Sequence, residues 1–416
     1  MVASIYGHSG QRRPIRVGFL FNHDQLHQIA HSAPIAFELS RLGAELDVTL
    51  FATCPGQSAY LQQLAEKFPG ANCRQHRLTL NRALALPARW LDALMPYRRV
   101  AMLLANRAAF AALDILVVPE KTSLLLRSRF GLNALKFVYT SHGAGDRAVG
   151  FDKHSDKFDL AFMSGPKIRD RLSRAGLARD GGYAIIGYPK FDLHAVGPRP
   201  KLFDNDRPTV VYNPHFSPCL SSWYHNGRAV LEYFYQSDKY NLIFAPHVML
   251  FRKRLQIALD RFSFERPGVI PERYRNCPHM LIDTGSARSV DMTYTRAADL
   301  YLGDVSSQIY EFLHQPRPCL FLDAHNTPWQ GDENYSHWQA GPVLNDVSQL
   351  DTALADAFAS HDHYRAQQQA MFAYTFDLTE TPSCRRAADA IVAFAARLSA
   401  AATPVTDLGC AAIAPP

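Results

Sequence analysis

Short runs of Val, Ile, Leu and Phe recur along the first half of the chain, and each ends in polar residues or glycine. They cover residues 15–21, 45–52, 114–120, 136–145, 159–165 and 183–189. Stretches of helical length separate them, and the first of these, residues 34–42, stops at Gly43. Buried apolar strands alternating with helices are typical of a parallel sheet covered by helices on both faces. The pattern therefore predicts an α/β domain.

The pattern breaks at residues 194–208, where proline, glycine and charged residues are concentrated, and then resumes. Further strands are predicted at residues 208–215, 240–247, 279–285, 298–304 and 318–324. We therefore expect two Rossmann-like domains, residues 1–193 and 209–400, joined by a linker at 194–208. Residues 401–416, rich in alanine and proline, are predicted to be a disordered tail. Because parallel sheets bind ligands beyond the carboxyl ends of their strands, the two sheets should face each other across a cleft.

Composition narrows the class of protein. Of 416 residues, 47% are hydrophobic, which is enough for large cores, and the net charge of +6 gives no reason to expect nucleic-acid binding. No apolar stretch reaches the ~18 residues of a membrane span. The first residues lack the apolar core of a signal peptide, so we expect a cytoplasmic protein. The seven cysteines are scattered without paired spacing, which argues against a disulfide framework or a zinc knuckle.

The most informative polar segment follows the strand predicted to end near residue 302. Ser306 and Ser307 precede a predicted helix at residues 308–314, and Glu311 lies one turn beyond Ser307. Free N–H groups and hydroxyls at a helix start favour phosphate, and Glu311 could reach ribose hydroxyls. The alternative is an ordinary helix cap followed by a surface glutamate. The predicted phosphate-binding residues are Gly303, Asp304, Ser306 and Ser307.

Two histidines follow predicted strands, one in each domain. His142 is trailed by Gly143 and Gly145, which let the backbone approach a ligand, and its imidazole could take a proton from an attacking hydroxyl. His247 could stabilise a diphosphate by a hydrogen bond or a positive charge. The alternative for each is a hydrogen-bonded histidine in a turn, without chemistry. His215, also at a strand end, is a weaker candidate.

Residues 88–110 combine Trp90 and several leucines with four arginines. A basic amphipathic stretch of this kind could lie on an anionic membrane surface, where a lipid-linked acceptor would be found. The alternative, which the need for covering helices favours, is a pair of core-facing helices broken at Pro96. The sequence thus leaves open a peripheral contact with the inner face of the cell membrane.

Six segments resemble, in the same order, motifs of the CDP-glycerol glycerophosphotransferases, the polymerases and primases of teichoic-acid-type polymers. Residues 304–311 resemble the family's D-Y-S-S-x-x-x-D element, and residues 140–143 are similar to T-W-H-G. The remaining similarities, to G-x-P-R-x-D, L-Y-A-P, K-x-H-P and P-G-P, lie at residues 187–192, 210–214, 246–247 and 341–343. The resemblance spans residues 136–391 and implies a GT-B fold.

The same resemblance implies roles for individual residues. His142 would be the general base, and a nucleotide-activated donor, CDP-glycerol or a nucleotide sugar, would bind in the C-terminal domain with His247 near its diphosphate. Contacts to the nucleotide and ribose are expected from Glu311 and Pro214, and contacts on the acceptor side from Gly143, Arg147 and Asp192. The acceptor would be a hydroxyl of a cell-envelope glycan or lipid-linked polymer, and no metal or cofactor is expected.

Three other functions stay open at this stage. A GT-B glycosyltransferase would use a nucleotide sugar on the same scaffold. A sugar-nucleotide 2-epimerase would share the facing domains but would need acidic residues placed to abstract a proton, and no acceptor. A non-catalytic nucleotide-binding protein would bind without turnover.

Overall fold

The structure is a computed structural model, and it describes residues 13–23, 26–43, 45–92, 96–140, 143–147, 155–195, 197–258 and 262–401. His142 and the predicted tail beyond Ala401 lie outside the described residues. Two parallel sheets, each with helices on its faces, make up the described part. The predicted fold class, two α/β domains, is confirmed.

The first sheet has seven parallel strands in the order β3-β2-β1-β4-β5-β6-β7. The strands are Ile15–Phe21 (β1), Leu46–Ala52 (β2), Arg74–Arg77 (β3), Ile115–Val118 (β4), Lys136–Thr140 (β5), Leu160–Met163 (β6) and Tyr183–Ile185 (β7). The helices of this half are Ala33–Ser40 (α1), Pro55–Ala65 (α2), Arg82–Leu91 (α3), Tyr97–Ala105 (α4), Arg107–Ala111 (α5), Leu125–Ser128 (α6), Pro166–Arg174 (α7) and Pro189–His194 (α8). Every strand predicted in this half is present, and β3 is an addition.

The second sheet has six parallel strands in the order β12-β9-β8-β13-β14-β15, and a separate antiparallel hairpin pairs β10 with β11. The strands are Thr209–Asn213 (β8), Asn241–Phe244 (β9), Gln256–Ala258 (β10), Ser263–Glu265 (β11), Met280–Ile282 (β12), Leu300–Gly303 (β13), Cys319–Leu322 (β14) and Val343–Leu344 (β15). The helices are Trp223–Gln236 (α9), Glu272–Arg275 (α10), Thr293–Ala297 (α11), Gln308–Phe312 (α12), Leu350–Ala359 (α13), His361–Thr375 (α14) and Ser383–Ala401 (α15).

The strand orders determine where a ligand would bind. In each sheet the order reverses between two central strands, β1 and β4 in the first and β8 and β13 in the second. A crevice opens beyond the carboxyl ends of the strands at such a reversal. The loops at these positions begin at Asn22, Pro119, Pro214 and Asp304, so the polar segments found in the sequence flank the crevice of the second sheet.

The last helix returns to the first domain, which changes the predicted domain boundary at residue 400. Cys384, Ala387, Ala388 and Ile391 of α15 are buried in the same hydrophobic core as β1, β2 and α1. The chain therefore crosses between the domains twice, at residues 194–208 and again between α14 and α15. The apolar spacing along α15 shows a covered face, but it does not show which domain covers it.

Asp192, which the resemblance places on the acceptor side, caps this returning helix. Its carboxylate accepts hydrogen bonds from the backbone N–H groups of Ser383 at 3.2 Å and Cys384 at 2.7 Å. Burial raises the pKa of Asp192, although the N–H of Cys384 acts in the opposite direction. A side chain occupied in this way satisfies donors that a helix start otherwise leaves unpaired.

Replacing Asp192 by alanine is therefore expected to lower the free energy of unfolding by about 1 kcal/mol, measured by chemical denaturation. Asp389→Ala is the matched control, because Asp389 lies on the exposed side of α15, where it pairs with Arg385. If the two variants lose the same stability, the capping role is wrong.

The helices that carry the basic stretch at residues 88–110 have both buried and exposed apolar side chains. α4 begins directly after Pro96 and buries Ala101, Met102 and Leu103. On α3, by contrast, Leu86 and Trp90 are 71% and 80% exposed. Within the described ranges, none of the helices combines the length and apolar character that a membrane span requires.

Candidate functional site

A cavity of about 550 Å³ lies between the two domains and is lined by both. The first domain contributes the loop after β4 and the loop that begins at Gly143. The second domain contributes the loops after β8, β9 and β13. Among the predicted site residues, Gly143, Arg147, His247, Ser306, Ser307 and Glu311 line this cavity.

Gly145 of the first domain faces Ser307 of the second domain in the wall of this cavity. A Cβ atom placed on Gly145 would lie 3.1 Å from the Cβ of Ser307, which is tighter than an ordinary contact. Glycine is therefore the residue that lets the loop after β5 approach the loop after β13 at its present distance. As a result, two segments line the same cavity: the loop that follows His142 in the sequence, and the predicted phosphate-binding segment.

The serine segment differs in detail from the predicted helix start. The helix that follows, α12, ends at Phe312 and has only five residues, so it is shorter than predicted. Ser306 is buried, and its Oγ accepts a hydrogen bond from the N–H of Gln308 at 3.3 Å, whereas Ser307 is exposed to the cavity. Hydroxyls and local N–H groups, rather than a long helix dipole, are what this segment offers to an anion.

His215 and His247 form a pair of hydrogen-bond donors in the wall of the cavity. Their ring centroids are 5.5 Å apart. The Nδ1 of His215 accepts from the N–H of Ser217 at 3.0 Å, and the Nδ1 of His247 accepts from that of Met249 at 3.2 Å. In the neutral form each ring therefore carries its proton on Nε2, where it can donate to a ligand.

Burial keeps both of these rings neutral. It lowers the pKa of His247 to about 4. For His215, burial is the main cause, and repulsion from His247 when that ring is protonated and from Arg147 adds to it, so the pKa lies well below its usual value. The positive charge considered for His247 is thus not available at neutral pH. His215, the weaker candidate in the sequence, has the same arrangement as His247.

The Cε1–H signal of His247 is therefore expected to stay constant between pH 8 and about pH 5.5 and to move only as the pH approaches 4. Histidine-labelled protein and nuclear magnetic resonance measure this, with His247→Gln to assign the signal. A midpoint near the ordinary value of ~6.5 would contradict the neutral assignment.

Asp304 organises the loops behind the cavity and does not face it. Its carboxylate accepts from the N–H groups of His215 at 2.8 Å and Val305 at 2.6 Å, and from the N–H and hydroxyl of Ser222 at 2.6 and 2.8 Å. Burial raises its pKa to about 6 in spite of these donors. A buried carboxylate of this kind would repel phosphate, so we assign Asp304 to positioning instead of phosphate binding.

Two other predicted contacts also lie behind the cavity wall. Gly303 is enclosed by the ring of Tyr301, which a Cβ would approach to 2.5 Å. Pro214 is buried, and its carbonyl accepts the N–H of His247 at 2.9 Å. The described residues that line the cavity include neither of them. Pro214 thus fixes the loop that carries His247, and Gly303 leaves room for the Tyr301 ring.

Glu311 lines the cavity, but it is occupied by a partner from the other domain. The ammonium of Lys190 lies 2.5 Å from its Oε1, and the Tyr188 hydroxyl lies 3.4 Å from the same oxygen. Both charged side chains of this pair are buried. A ribose hydroxyl that bound Glu311 would therefore have to share Oε1 with Lys190 or bind Oε2.

The sequence did not identify a buried polar network that crosses the cleft around Asp146. The carboxylate of Asp146 lies 2.8 Å from the ammonium of Lys167, on its own domain. From the second domain, the Tyr310 hydroxyl donates to it at 2.6 Å and the Nδ1 of His337 lies 2.9 Å away. The Nε2 of His337 is 3.0 Å from the backbone oxygen of Asp304. This network ties the loop of Gly145 to the loop of Ser306.

Burial alone would raise the pKa of Asp146, but the hydrogen bond with His337 and the charge of Lys167 outweigh it and hold the pKa well below its usual range. The carboxylate is thus ionised throughout the neutral range. Within the described part of the chain, no group of three or more His, Cys, Asp or Glu side chains is arranged to hold a metal ion.

Comparison with known proteins gives structural matches and no sequence match. No family model matches the chain, and no curated protein is significantly similar to it in sequence. A variant of the wall teichoic acid polymerase TagF soaked with CDPG superimposes with a TM-score of 0.58 at 14% identity, over 93% of this chain and 90% of that one.

Two epimerase structures are similar to a comparable degree. A putative UDP-N-acetylglucosamine 2-epimerase from Listeria monocytogenes has a TM-score of 0.58 at 13% identity, over 94% of this chain and 99% of that one. The UDP-GlcNAc 2-epimerase from Neisseria meningitidis, bound to UDP-GlcNAc, has a TM-score of 0.51 at 11% identity, over 92% and 100%.

The chain has the GT-B fold. In GT-B terms, the described cavity occupies the interdomain cleft, and the loops after β8, β9 and β13 form its C-terminal wall. The fold expected from the motif resemblance is thus confirmed. At these identities the similarity establishes the fold alone, and the chemistry has to be argued from the residues of the cleft.

Proposed function

We propose that this GT-B protein transfers a group, glycerol phosphate or a sugar, from a nucleotide-activated donor to a hydroxyl of a glycan or lipid-linked polymer. The observation that carries the proposal is the contact of Gly145 with Ser307 in one cavity. It supports the proposal because the loop after β5 and the loop that carries Ser306 and Ser307 adjoin each other there.

The donor diphosphate would bind at the reversal of strand order in the second sheet. Ser306 and Ser307 offer hydroxyl groups there, and His215 and His247 offer two neutral Nε2–H donors. Fixed donors in a cleft stabilise the charge that develops on a leaving phosphate without first having to reorganise. Cations for the diphosphate come from the same cavity, which Arg99, Lys121 and Arg147 line.

The acceptor would enter from the first domain, where His142 is the proposed base. The neighbouring Gly143 lines the cavity. His142 would take the proton of the acceptor hydroxyl as its oxygen forms the new bond. With CDP-glycerol that bond is to the β-phosphorus, the bond to the bridging oxygen breaks, and CMP leaves. With a nucleotide sugar the new bond is to the anomeric carbon and the nucleoside diphosphate leaves.

The carboxylates of the cavity favour transfer over epimerisation. Epimerisation requires a group that removes a proton from carbon. Three acidic side chains line the cavity among the described residues, Glu120, Asp146 and Glu311. Asp146 and Glu311 are in buried ion pairs, and Glu120 accepts from the N–H of Thr122 and the hydroxyl of Ser123. Each is thus held by donors of the protein itself.

A sugar-nucleotide 2-epimerase is the second candidate. The observation that favours it is the nearly complete coverage of the two epimerase chains, 99% and 100%. The two functions differ in what they need, because an epimerase acts without an acceptor and exchanges a carbon-bound proton with solvent.

A lipid-linked acceptor would bring the protein to the inner face of the cell membrane. Leu86 and Trp90 of α3 are the most exposed large apolar side chains among the described residues of the first domain, and they would contact lipid there. The membrane contact, like the identity of the donor, is part of the proposal.

The deciding experiment incubates the protein in deuterium oxide with CDP-glycerol or with UDP-N-acetylglucosamine, with and without a panel of glycan and lipid-linked acceptors. Released nucleotide and deuterium in the sugar are measured. We expect nucleotide release that depends on an acceptor, and no deuterium at C2 of the sugar. Deuterium incorporation without an acceptor would establish the epimerase instead, and donor binding without either reaction would leave a nucleotide-binding protein. Ser307→Ala is expected to weaken donor binding, with Ser399→Ala on α15, which does not line the cavity, as its control.

A further inference from the structure

The β10–β11 hairpin is an element of the second domain that the proposed chemistry does not use. Ile257 on one strand is paired with Phe264 on the other. On its inner side, Gln256 is buried, and its amide donates to the backbone oxygens of Met249 at 2.6 Å and Leu250 at 3.0 Å. The hairpin is therefore anchored to the domain at its base.

The outer side of the hairpin is apolar and exposed. Ile257 and Phe264 point to the same face, because cross-strand partners do so, and they are 50% and 56% exposed. Leu255 and Phe262, which flank the two strands, and Val269, which follows β11 in the sequence, are between 41% and 86% exposed. Large apolar side chains that are exposed together on one face mark an interaction site.

The charges around this face indicate the kind of partner. Arg252, Lys253 and Arg254 precede β10 and Arg266 follows β11, and all four are exposed. Two copies meeting through this face would bring like charges together, whereas an anionic surface would be attracted. Exposed aromatic and aliphatic side chains bordered by Arg and Lys suit the boundary between lipid headgroups and acyl chains.

The hairpin also lies beside the cleft. His247 and Val248 line the cavity, and the hairpin is anchored to the next two residues. On the other domain, α3 with its exposed Trp90 packs against α4, from which Arg99 reaches the cavity. Exposed apolar surfaces therefore adjoin cavity-lining segments on both domains.

We propose that the β10–β11 hairpin docks onto an anionic lipid bilayer, with Phe262, Phe264 and Ile257 in the headgroup region and Arg252, Lys253, Arg254 and Arg266 against lipid phosphates. This contact does not depend on which reaction the cleft performs. Together with α3 it would turn the opening of the cleft toward the membrane surface, where a lipid-linked substrate is held.

The test is flotation of the full chain with vesicles of phosphatidylcholine alone or mixed with phosphatidylglycerol, at low and high salt. The hairpin variant is Ile257→Ser/Phe262→Ser/Phe264→Ser, and the charge variant is Lys253→Glu/Arg254→Glu. Val392→Ser, an exposed apolar position on α15, is the matched control. Each variant is also made in a Leu86→Ser/Trp90→Ser background, so that binding through α3 cannot mask the hairpin. Unchanged thermal midpoints verify that the variants fold.

We expect the wild type to bind the anionic vesicles with an affinity that falls as the salt concentration rises. The hairpin variant and the charge variant should each bind at least about tenfold more weakly. Val392→Ser should bind like the wild type. Two binding results would overturn the proposal. One is that, in the Leu86→Ser/Trp90→Ser background, the hairpin and charge variants bind as tightly as the chain without those further substitutions. The other is that the wild type binds vesicles of phosphatidylcholine alone as tightly as it binds the anionic vesicles. Concentration-dependent dimerisation in sedimentation that the hairpin variant abolishes would overturn it as well, because it would assign the face to a second copy.

Discussion

Replacing Asp146 by asparagine is expected to lower the free energy of unfolding by about 3–5 kcal/mol. The side chain of its partner Lys167 is only 7% exposed, so the ammonium would be left buried without a counter-charge. Tyr310 and His337, which reach Asp146 from the other domain, would face an amide in place of a carboxylate. Chemical denaturation followed by circular dichroism measures the loss.

Two further variants test whether burial is the cause. Asp351→Asn removes one partner of an ion pair with Lys239 in which both side chains are at least half exposed, and it should change stability little. Asp146→Asn combined with Lys167→Met should lose less than the two single variants together, because no unpaired charge remains. If Asp146→Asn is no more destabilising than Asp351→Asn, the network does not hold the domains together.

The same network predicts a pH dependence. Since the pKa of Asp146 is held below its usual value in the folded protein, its stabilising contribution is complete above the ordinary aspartate pKa of ~4 and is lost as the pH falls below it. The stability difference between the wild type and Asp146→Asn should therefore be constant from about pH 5 to pH 7 and shrink at lower pH. A difference that grows on acidification would contradict this sign.

The His142→Ala variant is expected to lose about 10²- to 10⁴-fold in kcat for acceptor-dependent transfer, the contribution typical of a general base. The KM for the donor should change little, because the donor is proposed to bind through the second domain. In the wild type, the logarithm of kcat should rise with pH as the imidazole loses its proton, and this limb should disappear in the variant. Steady-state kinetics across pH 5–9 with the donor identified by the deuterium experiment provides both measurements.

A second histidine serves as control. His363 is exposed on α14, away from the cavity, so His363→Ala should keep the wild-type kcat. Equal turnover by His142→Ala and His363→Ala would remove the base assignment, while the donor-binding proposal for Ser306, Ser307 and His247 would still be testable by binding alone.

The strands of both sheets were predictable because buried parallel strands are continuous apolar runs. β4 and β8 are completely buried, and both stand out in the sequence. β3 was missed for the opposite reason. Its residues, Arg74 to Arg77, are all exposed at the edge of the first sheet, and pairing with β2 alone makes them a strand. An edge strand without an apolar pattern has no signal in a single sequence.

The position of a candidate residue at the cavity could be predicted where its loop faces the cleft, but not where the loop is folded behind the wall. Ser306, Ser307 and His247 line the cavity, as the position after a parallel strand suggested. Asp304 and Pro214 occupy the same loops, but their side chains or carbonyls hold neighbouring backbone instead. Sequence spacing places a loop at the right edge of a sheet, but it does not tell which side chains turn inward.

The Asp146 network could not have been inferred from spacing at all. Asp146 and His337 are 191 residues apart and meet only because the two domains close on each other. No pattern in the sequence assigns a particular histidine to a carboxylate on the opposite domain. Pairwise contacts of this kind require the three-dimensional arrangement.

The return of α15 to the first domain has a consequence for cleavage of the chain. A protease that cuts once within residues 194–208 would leave both fragments attached, because the larger fragment still inserts Ala387, Ala388 and Ile391 into the core of the smaller. Conversely, a chain that stops before Ser383 would leave a hydrophobic groove open along α1 and β1. Removing the last helix should therefore produce insoluble protein, whereas a nick in the linker should leave a complex that elutes as one species.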